Sequence, residues 1–166
     1  SGQLKKVAVG GGAPVSLADA VALGASWGDD DAIIFSRQTD HGVALFTIAA
    51  SGGTPKQLTS PGAADRTFRV GWPSRLPDGD TVLLSETNQS TFDNGRIVAL
   101  SLRTGERRKV VEQAYSGRYA TSGTLLNVLA RSVRARVFDH EPCRSESHDT
   151  STVIHTDPTT LAGVRA

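Results

Sequence analysis

Residues 24–28 read Gly24-Ala25-Ser26-Trp27-Gly28, the Gly-x-Ser-x-Gly spacing of a hydrolase nucleophile elbow. Such an elbow needs a strand before the serine and a helix after it, so that the hydroxyl is thrust out at a strained turn. Here Asp29-Asp30-Asp31 and an apolar run follow, the pattern of a second strand. The aspartates lack the ligand spacing and closing glutamate of a calcium loop and read as turn residues bonding their own backbone. Gly10-Gly11-Gly12 follows a strand but no Lys-Ser/Thr pair or helix comes after it, so a hairpin turn is expected in place of a phosphate loop.

His41, His140, His148 and His155 show no spacing of an established metal site, and the single cysteine, Cys143, forms neither a disulfide nor a thiolate zinc site within one chain. No metal and no cofactor is expected. Asn88-Gln89-Ser90 is a glycosylation sequon, with meaning only in a eukaryotic secretory setting. Arg134 and Arg136 alternate with Val133, Ala135 and Val137, which predicts one wet strand face and one dry one.

The chain has 166 residues, 38% apolar and 21% charged, with a formal net charge of +1. That suffices for a domain with a core and provides no global field toward nucleic acid or anionic lipid. No apolar run approaches the roughly 18 residues of a membrane span. Neither nucleic acid nor membrane is an expected partner. The chain contains no methionine and begins Ser1-Gly2, which reads as a processing scar on an excised or trimmed segment.

Helical periodicity is nearly absent. Short β-rich runs bounded by Gly, Pro, Asp and Ser predict strands at 4–9, 15–17, 24–27, 32–37, 43–49, 56–59, 69–72, 81–86, 96–102, 108–112, 117–120, 124–129, 133–138 and 150–155. One helical turn is predicted at Asp157-Pro158.

Repeats organise these strands. "VGGGAPVSL" (9–17), "ASGGTPKQL" (50–58) and "LRTGERRKV" (102–110) share a strand end, a glycine turn and a short following strand. Interleaved with them, "WGDDDAIIFS" (27–36) matches "LPDGDTVLLS" (76–85) and, more weakly, "ATSGTLLNVL" (120–129). This alignment sets Asp29 against Asp78 and Trp27 and Trp72 in equivalent first strands, where packing between blades is expected of both and ligand stacking is the alternative. The unit is a four-stranded meander recurring about every 45 residues, the size of a propeller blade.

With these motifs the chain resembles the TolB-type (WD40-like, PD40) β-propeller repeat, whose signature is a W-S-P-D-G-type turn before an apolar strand. Pro77-Asp78-Gly79 keeps that turn; Trp27-Gly28-Asp29-Asp30 departs from it. Over about residues 4–139 it is similar to the propellers behind the kinase domain of some bacterial serine/threonine kinases, though no kinase motif occurs in it. The expected fold is all-β, a partial propeller of about three to four blades in a single domain. Residues 1–17 end one blade, 18–59 and 60–112 form blades, 113–139 start another, and 140–166 are an unassigned tail.

A partial propeller leaves sheet faces and edges bare. Closure by homo-oligomerisation, a dimer favoured, or by missing sequence is expected, each chain's first strands completing a blade begun by its partner. One rim collects the loops at 18–23, 39–42, 60–69, 87–94 and 113–117, and Asp40, His41, Arg69 and Asn88 are its candidate binding residues. The function expected is a non-enzymatic protein- or ligand-binding module, periplasmic or extracytoplasmic if the resemblance holds. The alternatives are the propeller segment of a hydrolase or peptidase and a fragment without a function of its own.

Overall fold

A computed structural model describes residues 2–60, 68–120, 122–129, 132–139, 144–145 and 153–155. Cys143, His140, His148 and the turn at Asp157-Pro158 lie outside the described residues, as does the side chain of His155.

The described chain consists of antiparallel strands in four sheets. β1 (Gly2–Lys6) and β2 (Val15–Ala20) form a hairpin. β3 (Ala25–Trp27), β4 (Ala32–Thr39), β5 (Gly42–Ala49) and β6 (Lys56–Gln57) form a meander. β7 (Arg69–Arg75), β8 (Thr81–Thr87), β9 (Arg96–Ser101) and β10 (Arg107–Glu112) form a second. In the third, β11 (Tyr115–Ala120), β12 (Thr124–Leu129) and β13 (Ser132–Asp139) pair in order, and β14 (Arg144–Ser145) and β15 (Val153–His155) both pair with β13. Apart from β14, each strand overlaps one predicted from the sequence.

Successive side chains of a strand face opposite ways, and the central strands are apolar on both faces. Ile33 and Phe35 of β4 pack with Leu4, Leu17 and Ala18 of the hairpin. The intervening Ile34, with Leu45, packs with Val70, Val82, Leu84 and Val98 of the second meander. Leu83 and Ile97 of that meander turn the other way, onto Leu125 and Phe138 of the third. The sheets therefore stack face to face, with three apolar layers between four sheets. This is β-propeller packing, open over the described residues.

The Arg134/Arg136 face, expected to be wet, is turned to a neighbouring sheet. Register sets Leu125 opposite Arg136 and Asn127 opposite Arg134, so these four share the face that, with Phe138, is turned to the second meander. The face expected to be dry, with Leu126, Val128, Val133, Ala135 and Val137, is turned away, and Val137 is 55% exposed. Alternation alone does not say which face meets a neighbour.

Candidate functional site: a pocket at the inner strands

The first strands of consecutive meanders lie side by side and are laced together. The Trp72 amide donates to Leu23 O at 2.5 Å, and the Arg75 amide donates to Ser26 Oγ at 3.1 Å. The Arg118 guanidinium donates to Pro73 O at 2.7 Å. Close approach is needed here: a Cβ on Gly71 would stand 2.8 Å from Leu23 Cβ. Ser26 thus serves as an acceptor between strands. His41 sits on the β4–β5 turn, about seven residues beyond Ile34, the register partner of Ser26, which is about 20 Å at strand rise.

The turns leaving these strands share one backbone form. The amide of the fourth residue bonds the carbonyl of the first in Gly28–Asp31, Leu76–Gly79 and Ala120–Gly123. That fourth residue is left-handed in each, with φ of 57° at Asp31, 72° at Gly79 and 77° at Gly123. The match of Gly79 with Gly123 holds. The match of Asp29 with Asp78 shifts by one: Asp30 is the residue whose carboxylate accepts from the amide two residues on, as Asp78 does. The two tryptophans do lie in equivalent first strands, but at different positions along them. Trp27 precedes its turn directly, where the second strand has Arg75. Trp72 lies three residues further back, packed on Phe92 at 4.5 Å and Tyr115 at 5.3 Å between ring centroids.

These turns enclose a pocket of about 520 Å³, lined by Trp27, Gly28, Asp29, Asp30, Arg75 and Tyr119 among others. The size suits a small molecule or a peptide side chain. Every lining residue comes from a first strand or the turn after it. Trp27 is 54% exposed and its Nε1 donates to Asp31 Oδ1 at 3.2 Å, which fixes the indole at the rim. Tyr119, edge-on to Phe138, is fixed on the other side. Between them Arg75 spans two turns: it pairs with the Asp30 carboxylate and donates to Gly79 O. The guanidinium bonded to it holds the Asp30 carboxyl below the usual carboxylate range, with help from the Ala32 amide. A Cβ on Gly28 would stand 2.0 Å from Arg75 Nη1, so the Arg75 side chain holds its place over the turn only because residue 28 is glycine. In the shifted register the departure from the expected signature lies at Asp29 and Asp31, which stand where the second turn has Pro77 and Gly79.

The four residues singled out from sequence lie on the loops of the opposite rim. Asp40 and His41 form the exposed tip of the β4–β5 turn, where the His41 amide donates to Thr39 Oγ1 at 3.3 Å. Arg69 donates to Ser90 O at 2.9 Å and lies over the Phe92 ring at 5.9 Å. Asn88 lines a pocket of about 220 Å³ with Phe68, Glu86, Asn94 and Arg96. Arg69 and Asn88 belong to one neighbourhood, since Arg69 pairs in register with Thr87. Asp40 and His41 line neither pocket. Beneath Asn88 the Glu86 carboxylate, 3% exposed, pairs with Arg96 at 2.6 Å and with Arg107. The sequence offers Trp27 a ligand-stacking role only as an alternative to packing and leaves Arg75 and Tyr119 unmarked, because the signal that unites the three, an end position on each first strand, needs the turn register.

Stacked four-stranded antiparallel meanders, with first strands innermost and a pocket at their ends, define a β-propeller. Two solved structures share this fold. A TolB-type protein from Agrobacterium tumefaciens is similar with a TM-score of 0.60 and 15% identity, over 82% of this chain and 52% of that one. TolB from Acinetobacter baumannii is similar with a TM-score of 0.63 and 20% identity, over 82% of this chain and 35% of that one. The fold is TolB-like. The chain spans about half and about a third of the length of these two proteins. No family model and no curated protein matches the chain. No helix among the described residues is long and apolar enough to cross a membrane.

Proposed function

We propose that the chain is a non-enzymatic binding module that seats a protein segment or small molecule in the pocket between Trp27 and Tyr119. The supporting observation is that the pocket draws on the inner strand ends of three successive sheets and presents an exposed indole held by its own turn. Large exposed aromatic rings at a concave site serve recognition. The rim of Asp40, His41, Arg69 and Asn88 is the competing site, with the smaller pocket. The extracytoplasmic setting belongs to the same proposal, resting on the TolB-like fold.

The test is a peptide and fragment screen by Trp fluorescence, followed by calorimetric titration of the hits into W27A and N88A. Loss of binding in W27A alone supports the pocket, and loss in N88A alone moves the site to the opposite rim. A hydrolase or peptidase reading requires turnover of ester, peptide or glycoside substrates.

We also propose that a second copy covers the outward face of the third sheet. The two ends of the stack differ: Gln3, Lys5, Ser16 and Asp19 expose a polar surface on the hairpin. Leu126, Val128, Val133, Ala135 and Val137 form an apolar one on the third sheet. A two-fold axis sets apolar against apolar, the self-complementary arrangement. Because Val153–His155 of the same chain pair with β13, this contact needs no exchange of strands. Light scattering should give a dimer mass that falls to the monomer in V137K; a monomeric wild type ends this proposal.

A further inference from the structure

Among the described residues, four of the six buried side-chain polar atoms without a hydrogen-bond partner lie on one sheet face: Asn127 Nδ2 and Oδ1, Arg134 Nε and Arg136 Nε. Asn127 is 1% exposed, and Arg134 is its direct register partner across β12–β13. Directly opposed side chains on one face have Cβ atoms about 5 Å apart. Arg136, two residues along the same face, follows at about 7 Å.

A buried amide with neither end bonded costs free energy, and a partly buried guanidinium without a counter-charge costs more. Guanidinium groups do not shed their protons to escape that cost. The apolar part of the neighbouring layer, Leu83, Ile97, Val110 and Val111, gives no compensation, and Arg108, opposite Ala99 on that face, has Glu106 as its own acid at 3.6 Å. In the second meander Arg75 has Asp30 and Arg107 has Glu86, while Arg69, with no acid among the described ion pairs, gives its guanidinium to Ser90 O. Arg134 and Arg136 take part in none of the described ion pairs.

We propose that Asn127, Arg134 and Arg136 bind an oxyanion, a phosphate or carboxylate group, on the face that the third sheet turns to the second. Two guanidinium forks and one amide NH₂ supply donors suited to a ligand with two or more acceptor oxygens. Water would satisfy the amide and solvate the partly buried guanidinium groups in part, whereas an oxyanion answers all three with a counter-charge. The site stands apart from the pocket at Trp27, so its failure leaves that reading untouched.

Thermal unfolding of the full chain in inorganic phosphate, and separately in citrate, against sodium chloride at matched ionic strength tests this. Both anions also stabilise proteins generally by exclusion from the surface, so the comparison between variants decides. The expected result is a saturable rise in Tm whose half-saturation moves up about tenfold in R134Q and in R136Q, the equivalent of one charge-assisted bond. R103Q, which alters an exposed guanidinium on the β9–β10 turn, should respond as wild type. N127L, which removes the unpaired amide without adding charge, should fold and respond weakly, and it covers failure of the arginine variants to fold. The stronger of the phosphate and citrate responses names the ligand group. An equal rise in all variants, or no rise in wild type, overturns the proposal. So does a response seen only after Glu141, Glu146 and Asp149 are replaced by amides, which would assign the site to the chain's own carboxylates.

Discussion

Ser26 Oγ accepts the backbone N–H of Arg75 at 3.1 Å and so joins the inner strands of two neighbouring blades. The hydroxyl that a Gly-x-Ser-x-Gly spacing marks for nucleophilic attack is occupied as a structural acceptor. Ser26→Ala strips a partner from a part-buried amide, so unfolding in urea should show a loss of about 1–2 kcal/mol. If S26A instead abolished a measurable hydrolase activity at unchanged stability, the enzyme reading would stand.

Arg75 ties the first two inner turns together through Asp30 and Gly79 O. The folded-state pKa of Asp30 is lowered by this bond. Its stabilising share is therefore complete above the unfolded value of about 4 and is lost as pH falls through the lower folded value. NMR titration should show the Asp30 carboxyl returning to the ordinary range in R75Q, and the acid limb of the stability curve should flatten below about pH 4.

Gly28→Ala places a methyl on the guanidinium of Arg75. The atom struck is the end of a long side chain, so the fold should survive with a cost of at most about 1 kcal/mol. The Asp30–Arg75 pair should nevertheless open, and the Asp30 titration should resemble that in R75Q. An unchanged titration in G28A would show that the pair can be remade elsewhere.

Glu86 is buried under two arginines whose own side chains are 51% and 34% exposed. Glu86→Gln leaves both with a weaker, neutral acceptor. The expected cost is about 1–3 kcal/mol in chemical denaturation, less than for a fully buried pair because water reaches both arginines. Salt should reduce the difference between wild type and E86Q.

Phe138 is 2% exposed and, with Leu125, anchors the third sheet to the second. Phe138→Ala should cost about 3–5 kcal/mol. Hydrogen exchange should show β11–β13 opening before β8 and β9, whose layer on the first meander stays intact.

The blade order was legible in the amino-acid pattern because each blade needs two apolar faces in its central strands and a tight turn at each end. "AIIF" and "VLLS" carry the first requirement, and Gly79, Gly105 and Gly123 carry the second, with left-handed φ at all three. Local chemistry of this kind does not depend on a neighbour. The candidate site was less legible. Asp31 takes a left-handed position that glycine holds in the other two turns, which hid the true turn register by one residue and with it the end position of Trp27.

Strand positions, turn positions and the repeat thus follow from short-range rules of sterics and alternation acting along the chain. Which face of β13 is covered, which tryptophan reaches solvent and what the Ser26 hydroxyl bonds are matters of which sheet lies against which. Those contacts join residues such as Ser26 and Arg75, 49 positions apart. They are set by the stacking of apolar layers, a property of the assembled blades that no single stretch of sequence contains.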